Sequence, residues 1–366
     1  MFKARAVVLD CALIVVALLL HPLTPSPAVV ERYYSNGFYP VWDTIVRSVT
    51  DRIPISLDDV LAPALLIWLV TFWIVRLRRA FIGRPLLPLT RRPLIVLART
   101  LLDTAAVFAA IFIWFMVSWA FNYSRIPVKE KMVLHKERTG VASVTALANR
   151  TIAMLNANVA AAHAEHLDDA QMQRDLEPTF YPTIHRLGDL ATFAPTPIKP
   201  TLFEPLMRAT ATFGFTDPWT HEINLSSALF PYERPAAYAH EWSHLSGFAD
   251  ESEANFIATV SCIHSRDAAL RYSGWMLVWF NLPSSIRVTT HPSAAVLADA
   301  HAIEARYDRL TRPGVARVQR AVYNSYLHAN NVKAGYDSYQ LFVQLLTAGE
   351  FDKDGLPVVK PTPPAD

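Results

Sequence analysis

The chain has 366 residues, of which 52% are hydrophobic, and its formal net charge is only +2. So balanced a charge does not suggest a nucleic-acid partner, and the apolar excess points to a lipid bilayer instead. The two cysteines, Cys11 and Cys262, lie in different parts of the chain and form no disulfide framework. We expect Cys262 to be a buried, apolar-like side chain rather than a metal ligand.

Three apolar segments in the first third of the chain predict transmembrane helices. The runs at 60–75 and 104–121 are near the length that crosses a bilayer. A weaker run at 6–20 contains Asp10 and follows two basic residues, so it is either a first span or the apolar region of a signal peptide. We prefer a retained span. The prediction is therefore a membrane anchor over 1–123, with spans at about 6–22, 60–77 and 97–121, and a second domain over 124–366.

A loop rich in arginine predicts the orientation of these spans. It lies between the second and third spans, contains no acidic residue, and is typical of a cytoplasmic loop. The sequence therefore predicts a multi-pass protein of the cell (inner) membrane whose C-terminal domain is extracytoplasmic. Arg99 and Asp103, one helical turn apart at the cytoplasmic start of the third span, are expected to pair. The arginines of the loop are Arg76, Arg78, Arg79, Arg84, Arg91 and Arg92.

The remaining chain is predicted to be mostly helical. Residues 140–192 resemble helices of modest amphipathicity, and prolines near 195–200 mark a connection to the next part. Ile223 and Leu225, with a polar residue between them, predict a short strand. In zinc peptidases an edge strand in this place binds an extended peptide through its main chain. The predicted fold class is mainly α, with a small strand element.

The segment His240-Glu241-Trp242-Ser243-His244 carries the clearest chemical signal. Histidines four apart on a helix point in the same direction and can bind one metal ion, and the Glu between them can act as a general base. Pro235 fits the first turn of such a helix, and Gly247 fits its end. The pattern also occurs by chance, so its surroundings decide how much it means.

Three carboxylates compete for a third metal-binding position. Asp250 is a natural N-cap for a following helix, and Glu253 then falls where a capping box would engage it. This leaves Glu251 free, so we rank Glu251 first, Glu253 second and Asp250 third as the ligand. Asn255, one turn after Glu251, is expected to support the site. The plainer alternative is that these acids only decorate a helix N-terminus, where negative charge is favoured anyway.

The expected cofactor is Zn²⁺, and the expected partner is a peptide or protein substrate. With two imidazoles and one carboxylate bound, the fourth position of the metal holds water, and Glu241 takes its proton and passes it to the leaving amine. A donor for the tetrahedral oxyanion is usually a Tyr or His on a later helix. The candidates are Tyr326, His328, Tyr336 and Tyr339.

Further segments accompany the HExxH motif along nearly the whole chain. They are SWAFNYSR at 118–125, PIKP at 197–200, FTDPWTHE at 215–222, GF at 247–248, ESEANF at 251–256, RYSG at 271–274, and a Tyr-rich stretch at 326–339. In this order, and after three spans, they resemble a bacterial domain-of-unknown-function family of membrane-anchored HExxH proteins regarded as zinc metallopeptidases. The resemblance implies zinc, a soluble gluzincin-like (zincin-like) domain and a membrane anchor, but no particular substrate. His221 departs from the family pattern, which has a small residue there; it either alters the local strand or adds a polar group near the cleft.

A second hypothesis is a non-catalytic membrane or envelope scaffold with a structural or vestigial metal site. Glu241 discriminates between the two, because a structural site has no use for a carboxylate there and recruits a fourth protein ligand. An intramembrane protease is disfavoured, since His240 lies far beyond the last span and has charged neighbours.

Overall fold

The computed structural model describes residues 4–22, 25–82, 92–165, 167–329 and 339–361. Helix accounts for 70% of the chain and strand for 4%, so the predicted mainly α class is confirmed.

The N-terminal part consists of the three helices that contain the apolar segments and of shorter helices between the first and the second of them. Two of them, α4 and α5, are long and apolar enough to cross a membrane. Helix α1 has 17 residues, and its role as a span stays a prediction. A further helical segment lies between α1 and α4, and it includes a π-helix at Val30–Phe38. The hydropathy pattern did not predict this segment. The bounds are α1 Ala4–Leu20, α2 Pro27–Val29, α3 Tyr39–Thr50, α4 Asp58–Ile82 and α5 Arg92–Ser118.

Four charged residues join α1, α4 and α5. Arg99 and Asp103 pair within α5 at 2.5 Å, which confirms the predicted pair. Arg99 also pairs with Asp10 of α1, and Asp103 pairs with Arg76 of α4 at 2.6 Å. Because charges are costly near lipid unless they are paired, this cluster favours the association of the three helices.

The second part is built around three helices that follow one another in the chain, α10, α11 and α12, with α7, α8 and α16 packed around them. Helices α7 and α8 confirm the helices predicted for 140–192. Single 3₁₀ turns lie at Ala120–Ser124 and Lys136–Thr139. The bounds are α6 Val128–Lys131, α7 Val141–Ala164, α8 Asp169–Arg186, α9 Glu204–Ala209, α10 Arg234–Leu245, α11 Glu251–Ile263, α12 Ala268–Asn281, α13 Ser284–Arg287, α14 Ala294–Leu310, α15 Pro313–Ala329 and α16 Tyr339–Ala348.

A small sheet lies beside α10. Its strands are β1 Ile198–Lys199, β2 Gly214–Thr216 and β3 Ile223–Leu225, in the order β1-β3-β2. Strand β3 is parallel to β1 and antiparallel to β2. The strand predicted at Ile223 and Leu225 is therefore confirmed, but its expected place at the edge of the sheet is wrong. The edge strand next to α10 is β2 instead, because β1 pairs with the other side of β3 and so makes β3 the central strand.

Trp242 explains how α10 is oriented. Its ring stacks on Phe180 of α8, with centroids 3.9 Å apart and an interplanar angle of 2°. Its indole N–H donates to the carbonyl oxygen of Phe193 at 3.0 Å. Trp242 lies between the two histidines in sequence. Because its ring is buried against α8, the rest of the motif faces the sheet and α11.

Candidate metal centre

The helix that carries the HExxH motif begins and ends where the sequence predicts. Pro235 lies in the first turn of α10, and Gly247, with φ of +82°, follows its end in the left-handed conformation that glycine tolerates best. Asp250 caps α11, since its carboxylate accepts the backbone N–H groups of Ser252 at 2.8 Å and Glu253 at 3.2 Å. The result is a helix, a tight turn and a second helix that packs back on the first.

This arrangement brings His240, His244 and Glu251 together. One ligand atom from each lies within 4.8 Å of the other two. The Nε2 atoms of the histidines are 3.0 Å apart, and Glu251 Oε2 lies 3.2 Å from Nε2 of His240 and 3.7 Å from Nε2 of His244. Among the residues that the structure describes, no fourth His, Cys, Asp or Glu side chain belongs to this group.

The other nitrogen of each imidazole is held by an oxygen atom. His240 Nδ1 donates to Asn255 Oδ1 at 2.9 Å, and His244 Nδ1 donates to the carbonyl oxygen of Phe248 at 2.8 Å. With Nδ1 protonated, the lone pair of a neutral imidazole is on Nε2. Two lone pairs and the Glu251 carboxylate therefore converge on one point, an arrangement that could hold a cation.

The protonation tendencies of these residues agree with that conclusion. Burial alone would raise the pKa of Glu251, but the charge of His244 and hydrogen bonds from both histidines hold it well below its usual value. Burial would lower the pKa of His244, yet the Glu251 carboxylate raises it to about 9. The surroundings of the group thus favour positive charge at this point.

Glu241 lies beside this group without belonging to it. It is buried, and Oε2 accepts the hydroxyl of Thr216 at 2.7 Å. Burial raises the pKa of its carboxyl, while the charges of His240 and His244 partly offset this effect. Gly214 of β2 lies directly over the carboxylate: a Cβ atom there would come within 2.3 Å of Glu241 Oε1. Neither Thr216 nor Gly214 was singled out by the sequence, although both lie in the segment FTDPWTHE or next to it.

The two lower-ranked acids are engaged elsewhere. Asp250 is occupied as the cap of α11, as described above. Glu253 Oε1 accepts the backbone N–H of Val128 at 2.6 Å, which ties α11 to α6. Burial and the neighbouring Asp250 raise the pKa of Glu253 to about 7. Their positions therefore agree with the ranking that puts Glu251 first.

Residues from the predicted membrane anchor, together with Arg125 just after it, hold the end of α10. The indole N–H of Trp119 donates to the carbonyl oxygen of His244 at 3.2 Å, and the Tyr39 hydroxyl donates to that of Leu245 at 2.6 Å. Arg125 Nη1 donates to the carbonyl oxygen of Gly247 at 3.1 Å, and its guanidinium stacks on the ring of Phe248 at 4.2 Å. Trp119 and Tyr39 thus bind carbonyl groups of the kind that every helix leaves without a helical partner at its C-terminus, and Arg125 binds the turn that follows.

His221 does not add a polar group to the cleft. Its Nδ1 lies 2.8 Å from Asp43 Oδ1 of α3, and its Nε2 lies 3.0 Å from Ser118 Oγ at the end of α5. It is fully buried with φ of +56°, in the turn between β2 and β3. His221 therefore links the sheet to the predicted anchor and leaves the strand pairing intact.

The oxyanion candidates cannot be placed around the group. Tyr326 and His328 are positions of α15 and Tyr339 is the first residue of α16, but their side chains lie outside the described part of the structure, as does Tyr336 altogether. Cys262 is fully buried in α11, and burial raises the pKa of its thiol, in agreement with an apolar role.

A family model described as a protein of unknown function (DUF3810) matches residues 34–347. The chain belongs to this family. The match covers most of the helical segment before α4, both apolar helices and the whole candidate metal centre. No curated protein and no solved structure matches the chain. Membership in the DUF3810 family confirms the predicted domain-of-unknown-function family, whereas the metallopeptidase activity stays a prediction.

Proposed function

We propose that the chain is a membrane-anchored, zinc-dependent metallopeptidase that hydrolyses peptide bonds. The observation that carries this proposal is the place of Glu241: a buried carboxylate lies beside three converging metal-ligand atoms and is not one of them. A purely structural site would gain nothing from it.

The donor atoms of the group fit a zinc ion. Two ligand atoms of a tetrahedral zinc lie about 3.3 Å apart when each is about 2.0 Å from the metal. The separations of 3.0, 3.2 and 3.7 Å between His240, His244 and Glu251 scatter around that value. The Nδ1 atoms of the two histidines donate hydrogen bonds to Asn255 and Phe248, and zinc-binding histidines usually have support of this kind.

Each residue then has a defined task. Zinc bound by the three residues would supply a Lewis acid that polarises the scissile carbonyl and makes water at the site more acidic. Glu241 accepts the proton from the attacking water and returns it to the leaving amine. Its raised pKa favours this exchange, because a base with a pKa closer to neutral gives the proton back more readily. Thr216 holds its carboxylate in place.

Strand β2 offers a place for an extended substrate. Hydrogen bonds from Ser226 N to Phe213 O and from Asp217 N to Glu222 O, each 2.9 Å, fix the antiparallel pairing with β3. Because backbone groups alternate in direction along such a pair, those of Gly214 and Thr216 point away from β3. We propose that a peptide pairs with this edge, which would place its main chain next to Glu241.

We also propose that the site lies outside the cytoplasm. Helices α4 and α5 are long and apolar enough to span, and the segment between them is rich in arginine; residues 83–91 of that segment lie outside the described residues. An arginine-rich loop on the cytoplasmic side would put both 25–57 and everything after α5 on the opposite side. The contacts of Tyr39 with Leu245 and of Asp43 with His221 support the placement of both segments on one side of the membrane, because packed segments cannot be separated by the bilayer.

The experiment that tests the proposal uses the full-length chain, purified in detergent. Metal content would be compared for the wild type, His240→Ala and Glu241→Gln. We expect about one zinc per chain in the wild type and in Glu241→Gln, and much less in His240→Ala. Membrane and envelope peptides from cells carrying wild type and Glu241→Gln should then differ, because the variant spares the target.

Other results would favour different functions. A metal-free wild type would refute the zinc site itself. Zinc in both wild type and Glu241→Gln, with indistinguishable peptide profiles, would favour the non-catalytic scaffold with a structural or vestigial metal site.

A further inference from the structure

Helix α9 lies beside the beginning of α4, the first of the two apolar helices. Asp59, in the first turn of α4, accepts the hydroxyl of Thr201 at 2.8 Å and the backbone N–H of Leu202 at 2.8 Å. Leu202 comes two residues before α9. If α4 spans the membrane from Asp58, then α9 lies at the level where that helix enters the bilayer.

Three large apolar side chains in α9 and just before it are exposed. Leu202 is 80% exposed and Leu206 is 54% exposed, and Phe203 is also exposed. Large apolar side chains clustered on a surface mark an interaction site, whereas single ones are unremarkable. Their position next to α4 indicates that the neighbouring phase is lipid.

Helix α15 extends this apolar surface. The backbone N–H of Arg312, just before α15, donates to the carbonyl oxygen of Ala209 at the end of α9, at 2.9 Å. On α15 itself, Val318 is 64% exposed, Val322 is 65% exposed and Val315 is also exposed. Their spacing of three and four residues puts all of them on one side of the helix.

The charged residues of α15 and of the four positions before it are all arginines. Residues 309–329 include four arginines and no acidic residue. By helical geometry Arg317 and Arg320 lie on the side of α15 away from the valines. An apolar face combined with a cationic polar face is the pattern of helices that lie in the plane of a membrane interface.

We propose that α9 and α15 form a membrane-docking surface, made of Leu202, Phe203, Leu206, Val315, Val318 and Val322, that inserts into the bilayer interface beside the start of α4. The partner is phospholipid, and the arginines contact its headgroups. Strand β2 follows α9 after a short loop, so docking holds the edge next to Glu241 close to the membrane surface. The inference does not depend on the proposed catalysis, but it does require α4 to span.

The test uses the full-length chain in lipid nanodiscs containing anionic phospholipid. The exposed Cys11 is replaced by Ser, while Cys262 is buried and stays unlabelled. Single cysteines at Val318→Cys and Val322→Cys carry a fluorophore, and quenching is measured with a spin-labelled phospholipid and with a water-soluble quencher. Arg317→Cys, on the opposite side of the same helix, is the matched control. Leu66→Cys on α4, which is 61% exposed, reports on the span.

We expect the lipid quencher to act strongly at Val318→Cys, Val322→Cys and Leu66→Cys, and several-fold less at Arg317→Cys, with the reverse order for the water-soluble quencher. These positions are exposed, so the substitutions leave the fold intact. Equal quenching at Val318→Cys and Arg317→Cys would overturn the proposal. Protection of Val318→Cys from both quenchers would also overturn it, because it would show that protein covers the docking surface. Absence of lipid quenching at Leu66→Cys would show that α4 does not span the membrane, and the proposal would then fail because it requires this span.

Discussion

The contact between Gly214 and Glu241 gives the sharpest prediction, because it separates the position of the base from the binding of metal. In Gly214→Ala, the new Cβ would lie 2.3 Å from Glu241 Oε1, 2.9 Å from Cδ and 3.0 Å from Cγ. Ordinary contacts between such atoms are about 3.5–4.0 Å, so the carboxylate must move by about 1 Å. That movement breaks the 2.7 Å hydrogen bond from Thr216.

The expected result is a loss of activity with the metal retained. A misplacement of about 1 Å costs on the order of a hundredfold in rate, and complete loss of a general base costs about a hundredfold to ten thousandfold. The three atoms nearest to the new methyl group all belong to Glu241, and none belongs to His240, His244 or Glu251. Zinc content should therefore equal that of the wild type, and the crowding should cost only about 1–3 kcal/mol of stability.

The assay compares zinc content, thermal unfolding and the cellular peptide profile of the full-length variant. Gly314→Ala is the matched control, because a Cβ there meets nothing within 4 Å and the position is helical. We expect Gly314→Ala to behave as wild type in all three measurements and Gly214→Ala to reproduce the peptide profile of Glu241→Gln. If Gly214→Ala instead keeps the wild-type profile, Glu241 is not the base.

Three further predictions follow from the site and from the arginine-rich loop. Glu251→Gln should lower zinc occupancy far more than Glu253→Gln. The effect of Glu253→Gln should appear in thermal unfolding instead, because Glu253 accepts the backbone N–H of Val128. Equal zinc retention by both variants would show that Glu251 is not the third ligand. Asn255→Ala should weaken zinc binding by about 10–100-fold in a chelator competition, since it frees the ring of His240, and an unchanged affinity would show that Asn255 has no orienting role. A reporter fused after Asp366 should be active only outside the cytoplasm; activity restricted to the cytoplasm would invert the topology.

The grouping of His240, His244 and Glu251 could be predicted from sequence because it depends on short-range rules. His240 and His244 lie one turn apart, Gly247 ends their helix, and Asp250 begins the next with Glu251 in its first turn. Helix periodicity and capping preferences decide each of these steps without knowledge of the rest of the fold.

What the sequence could not predict depends on contacts between distant segments. Thr216 and Glu241 are 25 residues apart, and the short strand containing Thr216 shows no hydrophobic period. Tyr39 reaches the end of α10 across 206 residues from a segment between two apolar runs. From sequence, His221 was unexpected at its position, and in the structure its imidazole contacts Asp43 on α3. No local preference encodes such pairings.

These long-range contacts also indicate that residues 1–123, the predicted membrane anchor, and the candidate metal centre form one folding unit. Removing residues 1–123 deletes the Trp119 and Tyr39 donors to the carbonyls of His244 and Leu245, and both partners of His221. It also deletes Glu31, the ion-pair partner of Arg125.

A fragment of residues 124–366 is therefore expected to misfold or to lose zinc. Each buried polar group left without its partner costs about 1–3 kcal/mol, and several such losses together are comparable with the total stability of a domain, about 5–15 kcal/mol. The control is a chain that lacks only residues 1–24, which keeps Tyr39, Trp119 and α4 and should bind zinc as the full chain does. The measurements are zinc content and cooperativity of thermal unfolding. A soluble fragment of 124–366 that unfolds cooperatively and binds zinc as tightly as the full chain would refute the argument, because the end of α10 would then need nothing from the anchor.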